Sequence, residues 1–471
     1  MSRVSIILSS MRTLLRHGTI VNADGPHRAD VLIDGERIAA IGTDLPAEAD
    51  RVIDATNRVV LPGGVDVHTH LDMPLGDIRT ADDFESGTIA AACGGTTTVI
   101  DYATQAKGGS LRGALDTWMA LADGRAVVDF GFHMCVSDLR PDVEAEMDAM
   151  VSEGVPSFKL FMAYPGRLML NDGEIFRVLR RTAANGGLVC LHAENGDVID
   201  VLVREALARG HTAPRFHALT RPPLVEAEAV HRGIALAELA GAPLYIVHLS
   251  SAEALGEVSA ARRRGVRVLA ETCPQYLFLS DEAYEGDQFD GAKFVMSPPL
   301  RSRETPDALW RGLAEGDLQV VATDHCPFLL EQKARGRDDF SRIPNGAPGI
   351  EPRMSLLYDE GVRGGRIPIE RFVEITAAAP ARIFGLYPQK GAVAVGSDAD
   401  LVVFDPSGTT TISAATHHMR VDYNPYEGRT LGGAVETVVA RGDIIVDHGR
   451  FVGAPGRGRF LKRAPFAPLS S

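Results

Sequence analysis

The sequence predicts an α/β fold: a (β/α)8 barrel with a small β-sandwich domain formed by both chain ends. Three observations predict it. From residue 62 onward, eight short apolar runs alternate with helix-like stretches, most at intervals of about thirty residues, enough for one βα unit. Before them come short strand-like runs punctuated by turn dipeptides. After about residue 390 the strand-like pattern returns. An open doubly wound sheet is the alternative, weakened because no Gly-rich dinucleotide loop follows the first run.

Taken in order, residues 1–10 read as a loose leader. Residues 13–21, 29–34 and 37–41 read as strands, separated by the turn dipeptides Asp24-Gly25 and Asp34-Gly35. Residues 52–53 and 59–61 continue the pattern, so 1–61 supplies only part of a sandwich. The barrel is assigned to 62–388. Its strands are expected at 64–70, 96–102, 127–136, 157–163, 187–192, 244–248, 266–271 and 318–323, and the wider gap after the fifth has room for two helices. Residues 369–379 read as a helix opened by Pro368. Pro380 is expected to break it and start a short second helix that stops at Gly385. Strands at 399–404, 436–440 and 443–446 complete the sandwich within 389–455. The tail, 456–471, is basic and rich in Pro and Gly, and is expected to dock on a neighbouring subunit.

A chain of 471 residues is too long for one small core. Its 45% hydrophobic and 23% charged content is that of an ordinary globular protein. A net charge of -14 argues against nucleic acid or an anionic membrane as partner. The five cysteines, Cys93, Cys135, Cys190, Cys273 and Cys326, are scattered with no CxxC pair, which suits reduced thiols in a cytoplasm. No apolar run is long enough to span a bilayer.

The run 155–164 contains a contradiction. It reads as a buried strand, yet Lys159 sits in its middle. An isolated ammonium there costs several kcal/mol unless it is paired or chemically changed. Taken alone, an edge position or a snorkelling side chain explains it equally well. Other polar residues gather at the ends of the same set of strands: His68 and His70 at the first, His192 at the fifth, His248 at the sixth and Asp324 after the eighth. That rim carries the chemistry of such barrels. In a strand, i and i+2 face the same way, so His68 and His70 can share one metal. Each piece alone is commonplace. Together, four His, one Lys and one Asp suit zinc-like metals.

Nine motifs carry a resemblance: 64–70 (GVDVHTH), 94–98 (GGTTT), 157–164 (SFKLFMAY), 192–195 (HAEN), 247–249 (VHL), 296–301 (MSPPLR), 323–328 (TDHCPF), 343–346 (IPNG) and 396–400 (GSDAD). Through them the chain resembles the dihydropyrimidinase/hydantoinase family of the amidohydrolase superfamily, over nearly its whole length. The resemblance implies that Lys159 is N6-carboxylated, its amine having added carbon dioxide, which turns the buried cation into a bridging anion. It implies two zinc ions, one held by His68, His70, Lys159 and Asp324, the second by Lys159, His192 and His248, with a hydroxide between them that attacks the substrate carbonyl. Asp324 is then general base and acid, and Tyr164 the oxyanion donor. Main-chain groups of Ser297 and Asn345 bind the ring amide. Met73, Leu75, Phe161 and Leu168 are expected around the substrate, the loop residues among them either lining a pocket or forming a lid. A homotetramer is also implied.

The implied reaction is opening of 5,6-dihydropyrimidines or 5-substituted hydantoins to N-carbamoyl amino acids. Related dihydroorotases and allantoinases carry an arginine two residues after the second histidine. Here that position is Asp72, expected to repel a substrate carboxylate. An allantoinase-like activity remains the nearest alternative. A catalytically inactive interaction homologue, like the collapsin response mediator proteins, is disfavoured because all six ligand positions and Tyr164 are present. Cys326 and His325 have no clear role, Cys326 being expected to pack, and Gly94-Gly95 is expected to serve helix-to-strand packing.

Overall fold

The computed structural model describes residues 11–45, 48–286 and 289–467. The leader expected at 1–10 lies outside them. Eight parallel strands form one sheet in sequence order: Gly64–Thr69, Thr96–Thr104, Asp129–Cys135, Ser157–Phe161, Leu188–His192, Leu244–Ile246, Val268–Thr272 and Val320–Val321. Each strand-to-strand connection runs through at least one helix, as parallel neighbours require. Between the fifth and sixth strands there are three helices, Gly196–Ala208, Arg215–Leu219 and Pro223–Ala240, where two were expected. Asn195, three residues after His192, accepts from the Val198 N–H at 3.1 Å and caps the first of them.

The sheet is nearly closed. No continuous ladder joins the first strand to the last; side chains do that work. Asp66 accepts from the Thr323 N–H at 3.1 Å and from its hydroxyl at 2.6 Å. The buried Arg353 guanidinium donates to Val65 O at 3.2 Å and to Val321 O at 3.0 Å. Higher up, the His70 N–H donates to His325 O at 2.9 Å. Lys159 and Cys190 pair across the fourth and fifth strands, as do Phe161 and His192. These registers bring the polar residues to one rim.

Both chain ends build the second domain. A seven-stranded sheet joins Thr19–Asn22, Gly25–Arg28 and Val59–Pro62 to Leu401–Thr411, Thr430–Ala440, Asp443–Asp447 and Arg450–Phe451. A four-stranded sheet comes from the N-terminal segment alone. Leu15, Val31, Ile33, Val60, Leu401 and Val439 pack between them. The run expected as one strand at 13–21 is two, Arg12–Arg16 and Thr19–Asn22, one in each sheet. His17 adopts φ 66° and turns the chain, and a Cβ at Gly18 would sit 2.6 Å from Val60.

One further expectation is corrected. The helix from 369 does not break at Pro380. It runs on from Ile369–Val373 through a widened turn, Glu374–Ala378, into Ala379–Ile383; the widened turn stands directly before Pro380, whose ring has no N–H for the ladder. The described part of the tail, residues 456–467, packs on its own barrel. The Leu461 N–H donates to Phe130 O at 2.7 Å, and the Phe466 N–H to Gly186 O at 2.9 Å. Arg463 is buried and donates to Ser157 Oγ at 2.7 Å, plugging the end opposite the rim. Among the described residues no helix is long and apolar enough to cross a membrane.

Candidate metal centre

His68, His70 and Asp324 meet across the seam. His68 Nε2 and His70 Nε2 lie 3.1 and 3.0 Å from the same oxygen, Asp324 Oδ1. On the other side, His192 Nδ1 faces His248 Nε2 at 2.9 Å. One ligand atom from each of His68, His248 and Asp324 lies within 4.8 Å of the others. Lys159 is 1% exposed, and no carboxylate stands within ion-pair distance of it among the described residues. Its Nζ instead lies over the rings of Tyr102, at 4.6 Å, and Phe161, at 5.2 Å.

Electrostatics distinguish the members. Burial pushes the Lys159 amine below its ordinary value, toward the neutral, nucleophilic form. Burial brings His70 down to about 4 and drives His248 well below its usual range, so both are neutral imidazoles, the form that ligates metals. Burial and the Lys159 ammonium act to lower His68, yet Asp324 and Glu271 lift it above its ordinary value. Carboxylates that attract a proton there attract any cation. Burial acts to raise Asp324, but His68 and His70 outweigh it and hold Asp324 well below the carboxylate range.

A metal pair fits these residues. His70 Nδ1 and His248 Nδ1 are buried without a hydrogen-bond partner, an arrangement that costs free energy unless something else satisfies part of the cluster. Two imidazole nitrogens facing each other at 2.9 Å can direct lone pairs at one cation. Four imidazoles and a carboxylate are a zinc-type donor set.

Three residues at this rim hold left-handed backbone although none is glycine: Tyr164 (φ 66°), His248 (φ 39°) and Asp324 (φ 50°). Such conformations cost about 1–3 kcal/mol each and cluster at functional sites. Tyr164 lies against the side chains of Ser297 and Asn345. Burial and the Glu194 carboxylate push its phenol up to about 12 while those two pull it down, so it stays a donor at neutral pH. Asn345 Nδ2 donates to Ser297 Oγ at 3.0 Å. Among the described residues, the N–H groups of Ser297 and Asn345 and the Ser297 carbonyl meet no partner. Phe161, Tyr164 and Leu168 pack with Tyr102 and Cys135. Met73 and Leu75 stay outside that cluster, Leu75 on a two-stranded hairpin, Pro74–Leu75 with Ile78–Arg79.

Asp72 has partners within its own chain. Its carboxylate accepts from the Phe84 N–H at 3.1 Å, at the start of a helix, and lies 3.5 Å from Arg125. It is thereby held at a helix N-terminus. His325 is likewise committed: Nε2 lies 3.1 Å from Asp82 and Nδ1 accepts from the Gly349 N–H at 3.2 Å, leaving no nitrogen for a metal. Cys326 is buried beside Asn345 O. A Cβ at Gly94 would sit 2.3 Å from Glu351 O, which explains that glycine by close packing.

Sequence reasoning missed the residues that hold the ligands. Glu271 accepts from the His68 ring and, at 3.1 Å, from the His248 N–H. Glu194 lies 2.8 Å from His192 Nε2. Tyr102 packs 4.6 Å from His68 and stacks 5.1 Å from His70, centroid to centroid. The available signal was a glutamate at the end of the seventh apolar run and another inside the HAEN motif.

A barrel whose rim gathers imidazoles, an aspartate and a buried lysine defines a class. The chain belongs to the amidohydrolase family, whose model matches residues 59–445. Within it, the D-hydantoinase of Streptomyces coelicolor is 54% identical over 461 residues, covering 97% of this chain and 98% of that one. A D-phenylhydantoinase of Escherichia coli is 47% identical over 462 residues, covering 97% and 99%. The crystal structure of dihydropyrimidinase from Brevibacillus agri superposes with a TM-score of 0.96 at 52% identity, over 97% of this chain and all of that one.

Proposed function

We propose that this chain is a binuclear zinc enzyme that opens the ring of 5-substituted D-hydantoins and of 5,6-dihydropyrimidines. Hydrolysis of a cyclic amide follows from the family and from relatives that span the whole chain. The observation that carries the finer reading is the unpaired, buried Lys159 close enough to His68, His70, His248 and Asp324 to act on their charge. A neutral amine that added carbon dioxide and lost a proton would become a carbamate, an anion whose two oxygens would suit a pair of cations. His68, His70 and Asp324 would complete one ligand set, His192 and His248 the other. When bound, the metals supply hydroxide near neutral pH and polarise the substrate carbonyl.

The chain's own groups do the rest. Asp324, ionised, accepts the proton released on attack and returns it to the leaving ring nitrogen. The Tyr164 hydroxyl donates to the oxygen that gains charge. The free Ser297 carbonyl and Asn345 N–H suit the N–H and C=O of a cyclic amide. Phe161 and Leu168 line the side toward the ring substituent. Names of relatives, D-hydantoinase and D-phenylhydantoinase, favour the D enantiomer and an aryl substituent. Assembly as a homotetramer belongs to the same proposal.

The test is the ratio of kcat/KM for dihydrouracil to that for D-5-phenylhydantoin, on zinc-loaded protein prepared with bicarbonate. A ratio below one supports a hydantoinase, and a large ratio a dihydropyrimidinase. Turnover of neither, with two metals bound, overturns the substrate assignment.

A further inference from the structure

Lys333, on the short helix Leu330–Lys333, is 0% exposed. No carboxylate lies within ion-pair distance of it among the described residues. Its three ammonium hydrogens each meet a main-chain carbonyl: Val295 O at 3.0 Å, Pro344 O at 2.9 Å and Gly346 O at 2.8 Å. Burying an unpaired ammonium costs several kcal/mol, and a Met of similar volume would avoid that cost. Burial indeed brings Lys333 down to about 7.

The three carbonyls belong to two segments that are distant in sequence. Val295 leads into Ser297, and Pro344 and Gly346 flank Asn345. The segments also touch directly, the Gly346 N–H donating to Val295 O at 3.0 Å. In a trans peptide the C=O and N–H point in opposite directions. Tying Pro344 O to the ammonium therefore aims the Asn345 N–H away from Lys333, and that N–H has no acceptor among the described residues.

We propose that Lys333 is a positioning residue: its three hydrogen bonds lock the 295–297 and 344–346 segments in one relative placement, so that the Ser297 carbonyl and Asn345 N–H stand ready to grip the ring amide. This rests on the reading of Ser297 and Asn345 given above. Because the hold is on main chain, no side chain at 297 or 345 substitutes for it.

Two variants test it. Lys333→Met removes all three donors, and Lys333→Gln keeps two without the charge. The expected result is a KM for D-5-phenylhydantoin raised by about tenfold or more in Lys333→Met and by less in Lys333→Gln, with kcat within about threefold and metal content unchanged. Hydrolysis of 4-nitrophenyl acetate, which has no ring amide to grip, stays at the wild-type rate. A KM unchanged in a folded variant, or an equal loss on both substrates, overturns the proposal. Should Lys333→Met fail to fold, Lys333→Gln carries the same readings. Should the wild-type protein turn over no hydantoin, the functional reading fails separately, and amide hydrogen exchange then reads the clamp. Faster exchange at both segments in Lys333→Gln supports it, and wild-type exchange at both overturns it.

Discussion

Glu271 has no exposure, and its two oxygens serve three groups: the His68 ring on the first strand, and the Tyr245 hydroxyl and His248 N–H on and just after the sixth. A carboxylate so placed fixes which His68 nitrogen is free for a cation and makes it more basic. Glu271→Gln is expected to weaken metal retention by about 10–100-fold, measured by metal analysis after dialysis against a weak chelator. Retention equal to wild type would show that Glu271 serves the barrel and not the centre. At Leu168, packed with Phe161 and Tyr164, a larger side chain takes room from the ring substituent. Leu168→Phe is expected to lower kcat/KM for D-5-phenylhydantoin several-fold more than for dihydrouracil; equal slowing removes the pocket assignment. At this scale the ligand candidates were legible because His68, His70, His192, His248 and Asp324 each set a polar group where an apolar strand ends, and Lys159 a charge inside one. Glu271 was not, since a glutamate there reads equally well as a solvated strand end. Asp72 was legible only in part for a related reason: its identity was plain, but its partner at a helix N-terminus is set by tertiary structure.

Among the elements, the eight barrel strands were legible from their spacing and composition, and the boundaries shifted by a few residues. What periodicity did not reveal was the break at His17, because the left-handed residue there is the histidine and not the glycine beside it. Nor did it reveal how the segment after residue 388 is fastened to the third strand. There Lys390, 1% exposed as a side chain, lies 2.7 Å from Asp129, 3.0 Å from Asp398 and 2.8 Å from Asp400, and Arg441 adds a second cation to Asp129. Burial acts to raise Asp129, but Lys390 and Arg441 outweigh it and hold it below the usual carboxylate value. A carboxylate with a depressed folded pKa stabilises the fold above its unfolded value, about 3.9, and that contribution is lost as pH falls through the lower folded value. The melting temperature is therefore expected to hold from neutrality to about pH 4 and then to fall. Removing the cation with Lys390→Met leaves buried carboxylates together and is expected to destabilise by about 3–5 kcal/mol, read by chemical denaturation. A loss below 1 kcal/mol would argue that Arg441 alone holds the cluster.

For the molecule as a whole, the pairing of a barrel with a sandwich made from both chain ends was legible, because the strand-like pattern stops and resumes on either side of the βα repeat. The tail was not: a basic, Pro- and Gly-rich segment shows nothing of what it will cover, and Arg463 finds its partners on the third and fourth barrel strands only once the barrel exists. The seam between the first and last strands has a larger consequence. His68 and His70 stand on one side of it and Asp324 on the other. An ion bound to all three ties the two ends of the barrel together, so its binding free energy adds to fold stability, by about 4 kcal/mol at a thousandfold excess over Kd. Stripping the metal is expected to lower the melting temperature and to speed hydrogen exchange first at residues 64–70 and 320–325. Uniform exchange throughout the barrel would contradict this. The protein is in this sense a hoop with one joint, and an ion bound there would be its buckle. The joint also offers a route for loading: an ion can enter a folded barrel by the parting of two strands, with the other seven contacts around the ring left intact.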